Sequence, residues 1–106
     1  MALMVYMTMS DGEEARRIGA ALVERRLAAC VNILPPIQSI YWWEDAVQQA
    51  EEVACVAKTE EDRFEELCAA VRSMHSYETP CIVALPLAAG DRDFLTWLRE
   101  STRPRS

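Results

Sequence analysis

A single histidine stands among the 106 residues: His75, which follows Met74 and precedes Tyr77 and Glu78. An imidazole at that place has two uses. At the C-terminus of a helix it satisfies the last carbonyls and the negative end of the dipole. As a neutral ring it ligates a metal ion. The thiols are Cys30, Cys55, Cys68 and Cys81. None forms a Cys-x-x-Cys pair, which speaks against a zinc ribbon. Cys30 and Cys55 fall in apolar, strand-like runs and Cys68 on the apolar face of a helix. Buried free thiols acting as small hydrophobes are therefore expected, in keeping with a reducing cytosol. Cys30 or Cys81 with His75 would be the nucleophile and base of an enzyme. Neither cysteine has a Gly-rich elbow or a helix N-terminus to lower its pKa. The sequence also carries no Ser-His-Asp pattern, phosphate loop or dinucleotide fingerprint. Catalysis is not expected.

The elements that must position these groups read clearly. Residues 3–9 form a nearly continuous apolar strand. Ser10-Asp11-Gly12-Glu13 has capping-box spacing and opens a helix with Ala15, Ile18, Leu22 and Val23 as its stripe, ending near Ala28. A long β-ribbon follows from Cys30 to Thr59. Its first arm spans residues 30–43 and its second 52–59, with the polar residues 44–51 turning and starting the return. Thr59 is read as the cap of a second helix, with Glu60, Glu61 and Asp62 in its first turn. Phe64, Leu67, Cys68, Val71, Met74 and His75 keep helical spacing along it. Residues 81–85 form a short apolar strand. Asp91 caps a last helix carrying Phe94, Leu95, Trp97 and Leu98, and residues 101–106 read as a frayed basic tail. The order strand, helix, strand, strand, helix, strand predicts an α+β chain. The fold is a ferredoxin-like βαββαβ sandwich over residues 1–106 as one domain, with a long central ribbon and an extra C-terminal helix.

The ribbon is too long for its domain. A strand of about 14 residues reaches roughly 45 Å, whereas a compact domain of about 100 residues has a radius of gyration near 13 Å. The outer half, with Trp42 and Trp43 near the tip, should overhang. Such a ribbon is not stable alone in water, which predicts packing on other copies of the chain. The alternative is two short strands broken at Pro35-Pro36, with the tryptophans folded back on the core.

The net charge is −6. Residues 41–80 carry ten acids against Lys58, Arg63 and Arg72. This acidic band argues against nucleic acid and favours cations or basic groups. The apolar start is short and lacks a basic lead, so it reads as a strand rather than a signal peptide. No run approaches a membrane span.

Several stretches together resemble the CutA family of divalent-cation-tolerance proteins. They are residues 21–33, Ser39 to Glu44, Glu51 to Val53, Lys58-Thr59, His75 to Pro80, Ala84 to Pro86 and Trp97-Leu98. The resemblance covers essentially the whole chain. It implies a ferredoxin-like homotrimer assembled through the 30–59 ribbon, a cytoplasmic location, and binding of copper or another divalent cation. The architecture also resembles the nitrogen-regulatory PII trimers, so an effector-binding signalling trimer is the second reading. Two departures stand out. Family members commonly have Gly where the ribbon turns, and Glu44-Asp45-Ala46-Val47 has none. The usual His-Pro-Tyr is here His75-Ser76-Tyr77.

The resemblance further matches Met7, Met74 and His75 to a copper-ligand set proposed in some relatives. Two thioethers with one imidazole suit Cu(I) better than Cu(II) or Zn(II); the plain alternative is core methionines and a capping histidine. Lys58, Thr59, Tyr77 and Glu78, with Glu52 and Asn32, form a second constellation that a trimer would gather at a subunit cleft. There it serves either as a Lys–Glu pairing that fixes the interface or as a small-ligand pocket.

Overall fold

The computed structural model describes residues 1–104; the last two residues of the expected basic tail, Arg105 and Ser106, lie outside the described residues. The element order is β1 (Ala2–Met9), α1 (Gly12–Glu24), β2 (Cys30–Trp43), β3 (Ala46–Glu60), a 3-10 turn (Glu61–Arg63), α2 (Phe64–Met74), β4 (Ile82–Pro86) and α3 (Arg92–Ser101). The four strands make one antiparallel sheet in the order β2-β3-β1-β4. This is the expected ferredoxin-like arrangement. Leu3, Val5, Met7 and Met9 of β1 are buried, as are Val53, Cys55 and Ala57 of β3. They meet Ile18 and Leu22 of α1 and Leu67 and Val71 of α2 in one core. Gly19 lets α1 approach β2 closely: a Cβ there would lie 3.2 Å from Val31 Cγ1.

Local boundaries moved where side chains found better partners. The N-cap of α1 is Asp11, not Ser10; its carboxylate accepts from the Glu14 N–H at 2.9 Å. The capping pair is thus Asp11 and Glu14, one residue later than expected. Val23 is exposed and does not belong to the stripe. The helix stops at Glu24, because Arg26 takes a left-handed backbone (φ 60°). That turn drops Leu27 and Ala28 into the core. Thr59 caps no helix. It belongs to β3, is fully buried, and donates its hydroxyl to the Leu27 carbonyl at 2.7 Å. Asp91 does cap α3, accepting from the Phe94 N–H at 3.1 Å. The chain beyond is not frayed at its start: Ser101 is helical, Thr102 is buried, and Arg103 forms a two-pronged pair with Asp62 at 2.7 and 2.8 Å.

The ribbon is longer than read. β3 begins at Ala46, so the return strand starts at once and the turn is only Glu44-Asp45. The long axis of the molecule measures 45 Å, and the radius of gyration is 14.3 Å. The prolines do not break β2, because β2 is an edge strand and its missing N–H groups cost no ladder bonds. They sit instead at a bulge. Ile33 pairs with Cys55 and Pro36 with Val53, leaving Leu34 and Pro35 opposite Ala54. An extra residue on one strand reverses which face each later side chain occupies. Beyond the bulge Ile37, Ser39, Tyr41 and Trp43 therefore share the helix-free face with Glu52. Trp42 stays extended on the other face and is 73% exposed.

Glu44 and Asp45 both take positive φ, 50° and 62°. That is the two-residue hairpin turn matching strand twist, which ordinarily calls for Asn-Gly. Left-handed backbone costs an L-residue roughly 1 kcal/mol. Replacing Glu44-Asp45 by Asn-Gly is expected to stabilise the fold by about 1 kcal/mol. A chemical-denaturation midpoint that stays put or falls would contradict this account of the turn.

Candidate functional site

α2 ends at Met74 because His75 turns to extended backbone (φ −80°, ψ 143°), while its N–H still reaches the Val71 carbonyl at 2.8 Å. The imidazole then folds inward and its side chain has no exposed surface. Nδ1 accepts from the Tyr77 N–H at 3.0 Å, so the ring proton sits on Nε2. Nε2 donates to the Thr8 carbonyl at 2.8 Å. Both ring nitrogens are thus in use within the chain. The ring also lies 4.6 Å from that of Tyr77, tilted by 47°.

Glu14 is the hub of this corner. It is 6% exposed, and its carboxylate accepts from the Ser10 N–H (3.1 Å), the Ser10 hydroxyl (3.3 Å) and the Ser76 N–H (3.1 Å). Ser76, unlike a proline, has an N–H to give, and it makes the last of these bonds. Glu14 thereby holds the chain just past the helix stop. Burial works to raise this carboxyl's pKa. The bonds from Ser76 and Ser10 outweigh it and hold the group below the usual glutamate range.

Met7 is completely buried in the core, and Met74 packs against that same cluster. With the Met7 side chain sealed and both imidazole nitrogens bonded, Met7, Met74 and His75 do not present an open ligand set as folded. Among the described residues no group of three or more His, Cys, Asp or Glu is placed to hold a metal ion.

The second constellation divides. Lys58 Nζ donates to Asn32 Oδ1 at 2.9 Å and lies 6.0 Å from the centre of the Phe94 ring. Thr59 is committed to Leu27. Glu52, Tyr77 and Glu78 come together elsewhere, on the wall of an open cleft of about 720 Å³. The cleft lies on the helix-free face, between the 77–81 loop and the outward-leaning ribbon. The Tyr77 hydroxyl donates to Glu52 Oε2 at 2.7 Å. Burial, then the bond to the Glu52 carboxylate and its charge, push the Tyr77 phenol far above its ordinary range, so it stays a neutral donor. Glu52 itself is 7% exposed, and Tyr77 is its one hydrogen-bond partner among the described residues.

Tyr6, Tyr41 and Trp43 also line the cleft, and none was singled out beforehand for this role. The bulge that turns Tyr41 and Trp43 inward was legible only as Pro35-Pro36. Cys81 lies there too and is exposed, against the expectation of four buried thiols. Cys55 is buried, whereas Cys30 and Cys68 are half-buried. Burial, and then the Glu52 charge, push the Cys81 thiol up, the wrong direction for a nucleophile.

Comparison with known proteins matches the family model of the CutA1 divalent ion tolerance protein over residues 3–101. The chain belongs to the CutA1 family. This CutA1-family chain is 47% identical to the divalent-cation tolerance protein CutA of Thermus thermophilus, over 96% of its own length and 99% of the relative's. It is 46% identical to the Archaeoglobus fulgidus protein of the same name, over 92% and 94%. Solved structures from the same two organisms superpose with TM-scores of 0.95 and 0.94, covering 97% of this chain and 100% of each of theirs. The Archaeoglobus structure is described as periplasmic. A rice relative, 39% identical, is chloroplastic, and the chain spans 58% of its length. Among the described residues no helix is long and apolar enough to cross a membrane.

Proposed function

We propose that this chain is a non-catalytic cation-binding protein of metal tolerance, working in the cytoplasm as a homotrimer whose 30–59 ribbons pack on one another. The observation that carries the cation reading is Glu52. A carboxylate that is 7% exposed, with one neutral donor, stands on the wall of an open cleft. Burying an anion is costly unless opposite charge compensates it, and a cation entering the cleft supplies that charge. Family membership supports the same role. The exposed Ile40, Trp42 and Val47 support assembly, because a lone ribbon leaves them in water. The four free thiols suit a reducing compartment. A signalling trimer of the PII kind is less favoured: it calls for a mobile partner loop at the ribbon tip, where two residues make the turn.

Copper is the sharper form of the proposal; for His75, Met74 and Met7 to serve as its donors, the ring must release Thr8 or Tyr77 and the core must open at Met7. Cu(I) and Cu(II) are titrated against a competing chelator with wild type, His75→Ala and Glu52→Gln. Stoichiometric binding that His75→Ala weakens about a hundredfold supports the His75 set, since outer and inner ligands each carry that order of affinity. Binding that only Glu52→Gln weakens places the ion in the cleft. Binding no tighter than that of a scrambled acidic peptide, unchanged in both variants, overturns the cation reading.

A further inference from the structure

A second groove lies on the helical side of the sheet, between the end of α1 and the start of α2. It measures about 400 Å³ and is lined by Arg25, Leu27, Arg63, Glu66, Ala69 and Ala70. Its floor is apolar for two reasons. The left-handed turn at Arg26 carries Leu27 inward, where it is 5% exposed, and α2 has only methyl side chains at 69 and 70. Arg63 is fixed in place, its side chain 13% exposed. Its Nε donates to the Arg26 carbonyl at 3.4 Å and its Nη1 to Glu66 Oε1 at 3.2 Å. A guanidinium has five N–H donors, so three are left over after these bonds. Arg25 is exposed at the rim, and among the described residues its side chain pairs with no acid. Two guanidiniums against the one carboxylate of Glu66 leave the groove with one positive charge, on a chain whose net charge is −6.

We propose that this groove binds a small organic monocarboxylate, its carboxylate bridging Arg25 and Arg63 and its apolar body against Leu27, Ala69 and Ala70. The planar fork of a guanidinium matches the two oxygens of a carboxylate. One excess positive charge matches one negative charge. A phosphate monoester carries about −1.5 to −2, more than the groove compensates, with Glu66 close by to repel it. The volume lies in the lower part of the range of small-molecule sites, roughly 300–1,000 Å³. The inference goes beyond the cation reading and stands apart from it. α1 and α2 cover the sheet face opposite Glu52, so packing of the ribbons and of the other sheet face leaves this groove uncovered.

The test uses the full chain, labelled with 15N, and sodium benzoate, with sodium chloride at matched ionic strength as reference. Benzyl alcohol is the neutral probe of similar shape and phenyl phosphate the probe of higher charge. Wild type is expected to show saturable amide shifts at residues 25–27 and 66–70 with benzoate, and weaker ones with the other two. Arg25→Gln should weaken benzoate about tenfold, the size of one lost charge-assisted bond. Ala69→Leu, at an exposed helix position, fills the groove without changing its charge and should abolish the response. The same spectra report whether each variant keeps its fold. Saturation in wild type that both variants weaken supports the proposal. No saturation, or equal shifts with benzyl alcohol, overturns it. So does a response that Ala69→Leu abolishes but Arg25→Gln leaves unchanged, which is apolar contact without recognition of charge. Tighter binding of phenyl phosphate overturns the monocarboxylate class. Copper titration of Arg25→Gln should match wild type, since neither the cleft nor the His75 corner includes Arg25.

Discussion

The chain with Trp42→Glu and Val47→Lys is expected to run as a single copy in light scattering at micromolar concentration, at the 12.0 kDa of one chain. Wild type is expected at three times that mass. Trp42 and Val47 are cross-strand partners, 73 and 55% exposed, and Trp42 also borders the cleft. A tryptophan side chain of roughly 200 Å² that passes from such exposure to full burial contributes about 4 kcal/mol per chain. Replacing it by a charge removes that term and adds a desolvation cost. The two new charges stand opposite each other, where an ion pair is tolerated within one ribbon. The variant is therefore aimed at association and spares the hairpin. A wild type that scatters as one copy would sink the trimer. A variant that stays assembled would show that the ribbon's other face, with Tyr41 and Trp43, carries the contact instead.

The long ribbon was legible because β-branched and aromatic residues fill it and because length alone forces an overhang. Its turn was not. Residues 44–51 are polar enough to read as a turn that only begins the return, yet β-pairing with residues 38–43 of β2 draws all of Ala46 to Glu51 into the ladder, with side chains that tolerate water on both faces. Polarity marks solvent exposure, and an overhanging strand is exposed whatever its backbone does. Thr59 misled in a similar way. A threonine ahead of three acids has the composition of a helix cap, but composition is blind to the Leu27 carbonyl that needs a donor under the core. The ferredoxin-like order survived these slips because it depends on element type and sequence, not on the terminal residue of each.

The candidate site was legible only in parts. His75, Tyr77, Glu78 and Glu52 stood out by type, but their partners are long-range. Tyr77 meets Glu52 across 25 positions, and His75 meets Thr8 across 67. No spacing rule reaches that far. Lys58 and Glu78 are grouped for a cleft between subunits; within one chain Lys58 bonds Asn32, another member of the same group. The inward turn of Tyr41 and Trp43 depends on one extra residue at Leu34-Pro35, and such a bulge changes the parity of every position after it.

Glu14→Gln is expected to destabilise the fold by about 3 kcal/mol, since hydrogen bonds to a buried charged acceptor are each worth roughly 1.5–3 kcal/mol and an amide replaces only part of them. The side-chain amide also brings an N–H₂ toward donors at Ser10 and Ser76, so one of those N–H groups loses its partner. The pH dependence identifies the carboxylate as the cause. The folded carboxyl lies below its ordinary value of 4.5, which is the value the unfolded chain returns to. The unfolded state therefore binds the proton more readily, and stability rises with pH through that interval. The contribution is fully present above about pH 5 and is lost as pH falls through the depressed folded value. Wild type should lose stability on acidification below pH 4.5, and Glu14→Gln should show a flatter acid limb starting from a lower plateau. Denaturant midpoints at a series of pH values measure both. Parallel acid limbs in the two proteins would show that Glu14 is not the titrating support of the His75 corner. A flattened limb would tie the α1 cap, the α2 stop and the floor of the 75–81 loop to one buried charge, so that loosening Glu14 loosens the wall on which Tyr77 holds Glu52.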